Sequence, residues 1–288
     1  MTPNQIICGD ACAELRRLPA GSAQVVIADP PYCNVLVNEG WDTQWKTAEA
    51  YLEWSQAWVA ESLRVLRDNG LCFIFVQLGK REHVFIHLMS ALCRQHQFHD
   101  LLIWDRAVGY NERRDSFTPA YEMILVLRKG EAVKFNKDAV REPYSAEKID
   151  AYLRDKRYKD REARLSHLVA GKFSTNLLRV PSLKGTSKEK CGHPSQKPVD
   201  LISKLIACAS DPGDLVVDPF LGSGTTAVVA TALGRQWLGI EINPIFVEMT
   251  QQRLAKGKDL LVPETEPAAL ESRQAPATNE PSELKFSA

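Results

Sequence analysis

"LVVDPFLGSGTTAVVA", residues Leu215 to Ala230, is the stretch that decides the fold. Asp214 to Val217 lead an apolar strand of the kind buried inside a parallel sheet. Gly222 and Gly224 then let the backbone turn tightly and approach a ligand closely. A helix is expected over Thr225–Leu233, with Ser223, Thr225 and Thr226 placed where its N-terminus needs capping groups. Strand, glycine turn and helix in this order form the first turn of dinucleotide- and mononucleotide-binding sheets. No Lys follows the glycines, so this is not a P-loop, and the lack of GxGxxG weakens a dehydrogenase reading.

Outward from this turn the pattern repeats. Glu241, in "WLGIEINP", stands 23 residues after Asp218, a separation that suits a carboxylate binding ribose hydroxyls. The lesser alternative for it, taken alone, is a surface acid at a strand end. Helices are expected over Val199–Ser210 and Ile245–Lys256, with a strand over Gln236–Ile240. Toward the N-terminus, Gln24–Ala28 reads as a strand and Thr47–Arg67 as a helix closed by Asn69-Gly70. Leu71–Val76 is a second buried strand, Lys80–Gln97 a helix, and Leu101–Asp105 with Glu122–Arg128 a closing antiparallel hairpin. Such alternation predicts an α/β fold, a doubly wound, mostly parallel sheet covered on both faces.

The bulk composition is that of a soluble globular chain of 288 residues with net charge zero. No run approaches the roughly 20 apolar residues of a membrane helix, and the N-terminus lacks a signal-peptide pattern. Seven cysteines without paired spacing suit a reducing cytoplasm, and no metal site is expected. Charge is unevenly spread: Arg128 to Lys197 holds 18 Lys and Arg against 9 Asp and Glu, an excess of +9. That basic segment is a candidate for contact with a polyanion, against the commoner reading of a solvated surface. Residues 263–288, with 5 acids, 2 basic residues and 4 prolines, are expected to be disordered.

A second landmark is "VVIADPPYCN", Val25 to Asn34. An apolar strand stops at Asp29-Pro30-Pro31-Tyr32, where prolines cannot extend a ladder. Prolines that merely end a strand would explain as much. With the DPFLGSGTT turn, and "HPSQKP" (His193–Pro198) before it, the chain resembles the β-class of DNA amino-methyltransferases. That family is circularly permuted, with the catalytic motif first, the target-recognition region next and the cofactor motif last.

The resemblance implies a division into a catalytic half (1–129), an inserted target-recognition lobe (130–192), a cofactor half (193–262) and a tail (263–288). It implies S-adenosylmethionine as cofactor and double-stranded DNA as partner, and leaves room for a homodimer and a companion restriction endonuclease. Asp29, Pro30, Pro31 and Tyr32 would form the catalytic loop. Asp218, Phe220, Gly222, Ser223, Gly224, Thr225 and Asn243 would surround the cofactor, with Glu241 on its ribose and Lys197 at its carboxylate end. Asp10 matches the position that contacts adenine, though a plain helix-cap role competes.

The chemistry of the implied reaction explains the motif. An exocyclic base nitrogen is a poor nucleophile, because its lone pair is delocalised into the ring. An ionised Asp29 accepts hydrogen bonds only, and the Pro30 carbonyl is a second acceptor. Aimed at the two N–H groups, they would localise the lone pair and direct it at the methyl. Tyr32 would stack on the base, which must leave the duplex to be reached. Trp41 and Trp45 could clamp the flipped base or the DNA, although packing is the favoured reading for at least one. Within a helix expected over Tyr152–Leu168, Arg154, Arg157, Lys159, Arg161 and Arg164 are candidates for phosphate contacts. A salt-bridged surface helix is the alternative there.

Asp29 favours adenine N6 as target over cytosine N4, where Ser is commoner in the family. A nucleotide-binding module without catalysis, or an NAD oxidoreductase, offers no role for Asp-Pro-Pro-Tyr. Methylation of protein or RNA would suit Asn in place of Asp29.

Overall fold

The computed structural model describes residues 2–33, 40–77, 83–109, 112, 114–155, 157 and 159–256. The tail expected to be disordered, residues 34–39 of the loop after Tyr32 and the start of the helix expected at Lys80 lie outside them.

The elements in chain order are β1 (Gln5–Cys8), α1 (Ala11–Arg17), β2 (Ala23–Ala28), α2 (Ala48–Val65), β3 (Leu66–Val76), α3 (Val84–Gln95), β4 (Gln97–Asp105) and β5 (Tyr121–Arg128). There follow α4 (Ala146–Leu153), α5 (Arg161–Ala170), β6 (Leu177–Arg179), α6 (Val199–Ala209), β7 (Leu215–Asp218), α7 (Thr225–Ala232), β8 (Gln236–Glu241) and α8 (Pro244–Ala255). They build an eight-stranded sheet in the order β1-β8-β7-β2-β3-β5-β4-β6. Only β5 runs against its neighbours β3 and β4; the other pairings are parallel.

This is the α/β sheet that the alternating pattern predicts, and the apolar runs explain why. Val25 to Ala28, Phe73 to Val76 and Ile124 to Leu127 are all buried, as expected for central strands covered on both faces. Two groups of helices flank the sheet: α1, α2 and α3 pack side by side, and α6 packs against α7. β2 and β7 are neighbours at the centre. The chain leaves β2 toward β3 on one side and β7 toward β8 on the other, so their carboxyl ends form a topological switch point, where open α/β sheets bind ligands.

Several expectations need correction. The helix expected to reach Arg67 stops at Val65, and Asn69-Gly70 lies inside β3 rather than closing a helix. The register of β3 against β2 jumps between Ala23↔Leu66 and Val25↔Leu71, so the intervening residues bulge. A Cβ on Gly70 would lie 2.8 Å from the Gln24 carbonyl, which is why a glycine serves that bulge. The β4–β5 hairpin is antiparallel as expected but does not close the sheet, because β6 adds beyond β4. β1, α1 and β6 carry too few apolar residues in a row to stand out in the sequence.

The single helix expected over Tyr152–Leu168 is two. α4 ends at Leu153 and α5 begins at Arg161, capped by the Asp160 side chain on the Ala163 N–H at 2.9 Å. Asp155 breaks the run by accepting from the Arg157 backbone and guanidinium. Local side-chain acceptors thus won over helix continuation.

Trp58 of α2 is fully buried, with its ring edge on Phe220 at 5.0 Å. Trp58→Ala is expected to cost about 3–5 kcal/mol, read as a lower urea midpoint. A midpoint equal to the wild-type value would show that this helix does not brace the turn at Phe220.

Candidate active site

Asp29 follows β2 and Asp218 ends β7, so the two landmark motifs meet at the switch point. Both line one cleft of about 1120 Å³, counted with its open mouth. Asp29, Pro30, Pro31, Tyr32, Asp10, Lys197, Asp218, Phe220, Gly222, Ser223, Thr225, Glu241 and Trp41 all border it. Motifs separated by about two thirds of the chain therefore form one site.

The catalytic loop is tied down from several sides. The Tyr51 hydroxyl donates to the Pro31 carbonyl at 2.8 Å, and the Tyr32 N–H donates to Asp42 Oδ1 at 2.5 Å. Tyr51 is itself fully buried in α2, so the loop rests on the core. The Tyr32 hydroxyl donates to Asp29 Oδ1 at 2.5 Å, and its ring meets Phe85 edge-on at 5.7 Å. Burial, then the charges of Asp29 and Glu122, raise the Tyr32 phenol well above its ordinary range, so it stays a neutral donor.

The Lys197 side chain is drawn to the catalytic loop. Its ammonium lies 2.7 Å from Asp29 Oδ2, 3.4 Å from Glu122 Oε2 and 3.3 Å from the Tyr32 hydroxyl. A buried ammonium goes to the strongest counter-charges within reach, and here these are at the catalytic end of the cleft. Burial opposes its charge, but Asp29 and Glu122 outweigh that and hold the Lys197 pKa above the usual value.

At the cofactor end, Gly222 and Gly224 adopt left-handed backbone, φ +50° and +75°. Ser223 and Thr225 do not cap α7 as expected, since its N-cap is Gly224 with no side-chain bond. Instead the Thr225 hydroxyl donates to the Lys197 carbonyl at 3.1 Å, and buried Arg253 donates to the Ser223 carbonyl at 2.9 Å. The turn is thereby bound to the HPSQKP segment and to α8. Glu241 accepts the Gly222 N–H at 2.7 Å and the Asn243 N–H at 2.8 Å, which fixes its carboxylate at the cleft wall. The Ile242 N–H also bonds the carboxylate, which still leaves acceptor capacity for a ligand hydroxyl. Asp10 both caps α1, accepting from Ala13 N–H at 2.9 Å, and faces the cleft, so the two readings of it are compatible.

Burial pushes the Asp218 carboxyl up to about 7, against hydrogen bonds from Thr226 and the Phe220 N–H that favour its anion. His193, buried, is lowered to about 4 and is neutral at pH 7; its ring meets Phe246 at 4.3 Å.

Three expected site residues do not line the cleft: Gly224, which is the N-cap of α7, Asn243 and Trp45. Asn243 caps α8 through its side chain on the Ile245 N–H at 3.0 Å and is not part of the cleft wall. Trp45 packs in an aromatic group with Tyr51 (4.9 Å) and Trp54 (4.6 Å), so of the tryptophan pair only Trp41 borders the cleft. The apolar reach of α2 explains this, since Trp45 precedes its N-cap Thr47 and folds back on its first turn. Arg154, Arg157, Lys159 and Arg161 are exposed and Arg164 half-buried; Arg157 pairs with Asp155 at 2.5 Å, and Arg164 lies over the Tyr152 ring at 5.5 Å.

Sequence reading missed Glu122 and Asp42. Glu122 opens the apolar run "MILVL", and an acid at the mouth of a buried strand was its available signal. Asp42 sits in a polar loop with no comparable mark.

The residues present suit S-adenosylmethionine. Gly222, in left-handed backbone, leaves the main chain open to a close ligand, the acids Asp10 and Glu241 border the cleft, and Phe220, Ile242 and Phe246 give apolar wall. Comparison with known proteins agrees. A family model described as DNA methylase, covering adenine-N6 and cytosine-N4 enzymes, matches residues 23–252. The DNA adenine methyltransferase YhdJ of Escherichia coli (strain K12) is 34% identical over 86% of this chain and 82% of its own. The type II methyltransferase M.HpaI of Haemophilus parainfluenzae is 30% identical over 87% of this chain and 74% of its own. Among solved structures, the PvuII DNA methyltransferase, cytosine-N4-specific, has TM-score 0.65 at 19% identity, covering 88% of this chain and 86% of that one. A Thermus thermophilus putative DNA modification methylase, complexed with S-adenosyl-L-methionine, has TM-score 0.59 at 21% identity over 88% and 96% of the two chains. With the cleft, the glycine turn and the Asp-Pro-Pro-Tyr loop in one place, the chain belongs to the N6/N4 DNA methylase family of S-adenosylmethionine-dependent methyltransferases.

Proposed function

We propose that the protein methylates the exocyclic N6 of an adenine rotated out of double-stranded DNA. The observation that carries this reading is the Asp29 carboxylate, held by Tyr32 and Lys197 at the mouth of the cleft that the glycine turn lines. When bound, S-adenosylmethionine supplies a methyl group on a sulfonium, already a good leaving group.

The rest is done by the chain. Asp29 has two lone pairs beyond those used by Tyr32 and Lys197, and accepts one N–H of the target amino group there. The Pro30 carbonyl takes the other. Pro31 is anchored by Tyr51, so the loop holds both acceptors without reorganising as the nitrogen becomes cationic. Glu241 and Asp10 orient the cofactor through its hydroxyls and adenine. The Tyr32 ring and Trp41 border the place where a flipped base would enter.

The adenine assignment rests on Asp29 and on the relative named as an adenine methyltransferase. The test is to incubate the protein with unmethylated DNA and cofactor and to analyse the digested nucleosides by mass spectrometry. N6-methyladenine is expected. N4-methylcytosine would keep the mechanism and overturn the base assignment.

DNA contacts are assigned to the basic positions around α4 and α5, exposed Arg154, Arg157, Lys159 and Arg161 and half-buried Arg164. Replacing Arg161 and Arg164 together by alanine should reduce the slope of log K against log salt by about 2 and weaken all sequences alike. An unchanged slope would move the DNA interface off this helix pair.

A further inference from the structure

The charges at Asp29 continue inward through Lys197 to a carboxylate that does not line the cleft. Glu122, on β5 opposite Trp104, is 5% exposed. Its Oε1 accepts from Arg106 at 2.9 Å, while Oε2 lies 3.3 Å from the Tyr32 hydroxyl and 3.4 Å from the Lys197 ammonium. The rings of Phe75, Tyr32 and Trp104 surround that ammonium at 5.1, 5.4 and 5.9 Å. The fold does not require an acid here, since the residues that follow, Met123 to Leu127, are a buried apolar run and a buried carboxylate is costly.

We propose that Glu122 is a positioning residue for methyl transfer: it shares the Lys197 ammonium with Asp29, so that Asp29 keeps its acceptor strength for the target amino group. This rests on the methyltransferase reading above. The cluster holds Asp29 and Glu122 against Lys197 and Arg106, a net charge of zero. Without the Glu122 charge the same site is +1. Lys197 then has Asp29 as its one carboxylate partner and draws fully onto it. The nitrogen being methylated gains positive charge in the transition state, and an uncompensated cation behind Asp29 opposes that in a poorly solvated site. Glu122 is buried and does not line the cleft, so its loss is expected to act on the rate and not on binding.

The experiment compares wild-type protein, Glu122→Gln and Glu122→Asp on a duplex containing the target base. It measures single-turnover rate, KM for DNA, cofactor affinity by calorimetry, urea midpoint, and fluorescence of 2-aminopurine at the target position. For Glu122→Gln the rate is expected to fall about 100-fold, with cofactor affinity, KM and the base-flipping signal unchanged. Glu122→Asp keeps the charge one methylene further away and should recover part of the rate. A folded Glu122→Gln within about threefold of wild type, or one whose rate falls only as far as its cofactor affinity, overturns the inference. If Glu122→Gln does not fold, Glu122→Asp decides: it must lose about tenfold in rate at unchanged KM. Wild-type protein silent on every DNA would sink the parent reading, whereas an active wild type with indifferent variants sinks this inference alone.

Discussion

Asp29→Ala abolishes methyl transfer while the protein stays folded and binds its cofactor. The loss expected in the single-turnover rate is at least about 1000-fold, the upper range for removing one preorganised electrostatic group. Stability is a real concern, because deleting one partner of a buried ion pair can cost about 3–5 kcal/mol. Here the concern is reduced on two counts. The Asp29 side chain is 20% exposed, and Lys197 retains Glu122 at 3.4 Å and the Tyr32 hydroxyl at 3.3 Å. Asp29→Asn is the companion variant: it keeps the volume and one acceptor but brings an NH2 that faces the target amino group with donor against donor. It too should be inactive. A rate loss with unchanged cofactor affinity marks an interaction made in the transition state. Retained activity in the alanine variant would remove Asp29 from the chemistry and leave the loop a structural turn.

Much of this site was legible in the sequence because its parts are backbone features. An apolar strand followed by Gly-Ser-Gly, or by Asp-Pro-Pro-Tyr, fixes the local conformation within a few residues, and the strand order then brings the two ends together. The unreadable part depends on side chains meeting across the sheet. Lys197 and Glu122 lie on different elements 75 positions apart, and no periodicity in either segment says that one will neutralise the other. Trp45, one of a pair in which packing is expected of at least one, and Asn243 show the opposite case. Both stand next to the site in sequence, but local needs claimed them, an aromatic group on α2 for the first and the N-terminus of α8 for the second. The split between α4 and α5 has the same origin, since Asp155 and Asp160 hydrogen-bond locally where basic periodicity suggested one continuous helix.

The second large effect is expected at the cofactor end, from one methyl group. Gly224→Ala should weaken S-adenosylmethionine binding about 100-fold while leaving the Asp29 loop intact. Gly224 sits at φ +75°, a conformation that costs an L-residue about 1–2 kcal/mol. The added Cβ would also overlap Thr250 Cγ2 and lie 2.8 Å from Thr250 Oγ1. Thr250 cannot swing away freely: it is fully buried, and its hydroxyl donates to the Gly222 carbonyl at 2.9 Å. Relief must therefore come from the turn itself, which moves the Gly222 N–H off Glu241 and disturbs the carboxylate placed for the ribose. Gly213→Ala separates strain from clash. Its φ is +86°, yet nothing lies within 4 Å of the added Cβ. That variant should lose stability of the order of 1 kcal/mol and no cofactor affinity. Calorimetric titration of both proteins with cofactor provides the comparison. Equal affinities would mean that the turn is not part of the cofactor site, since strain alone is common to the two.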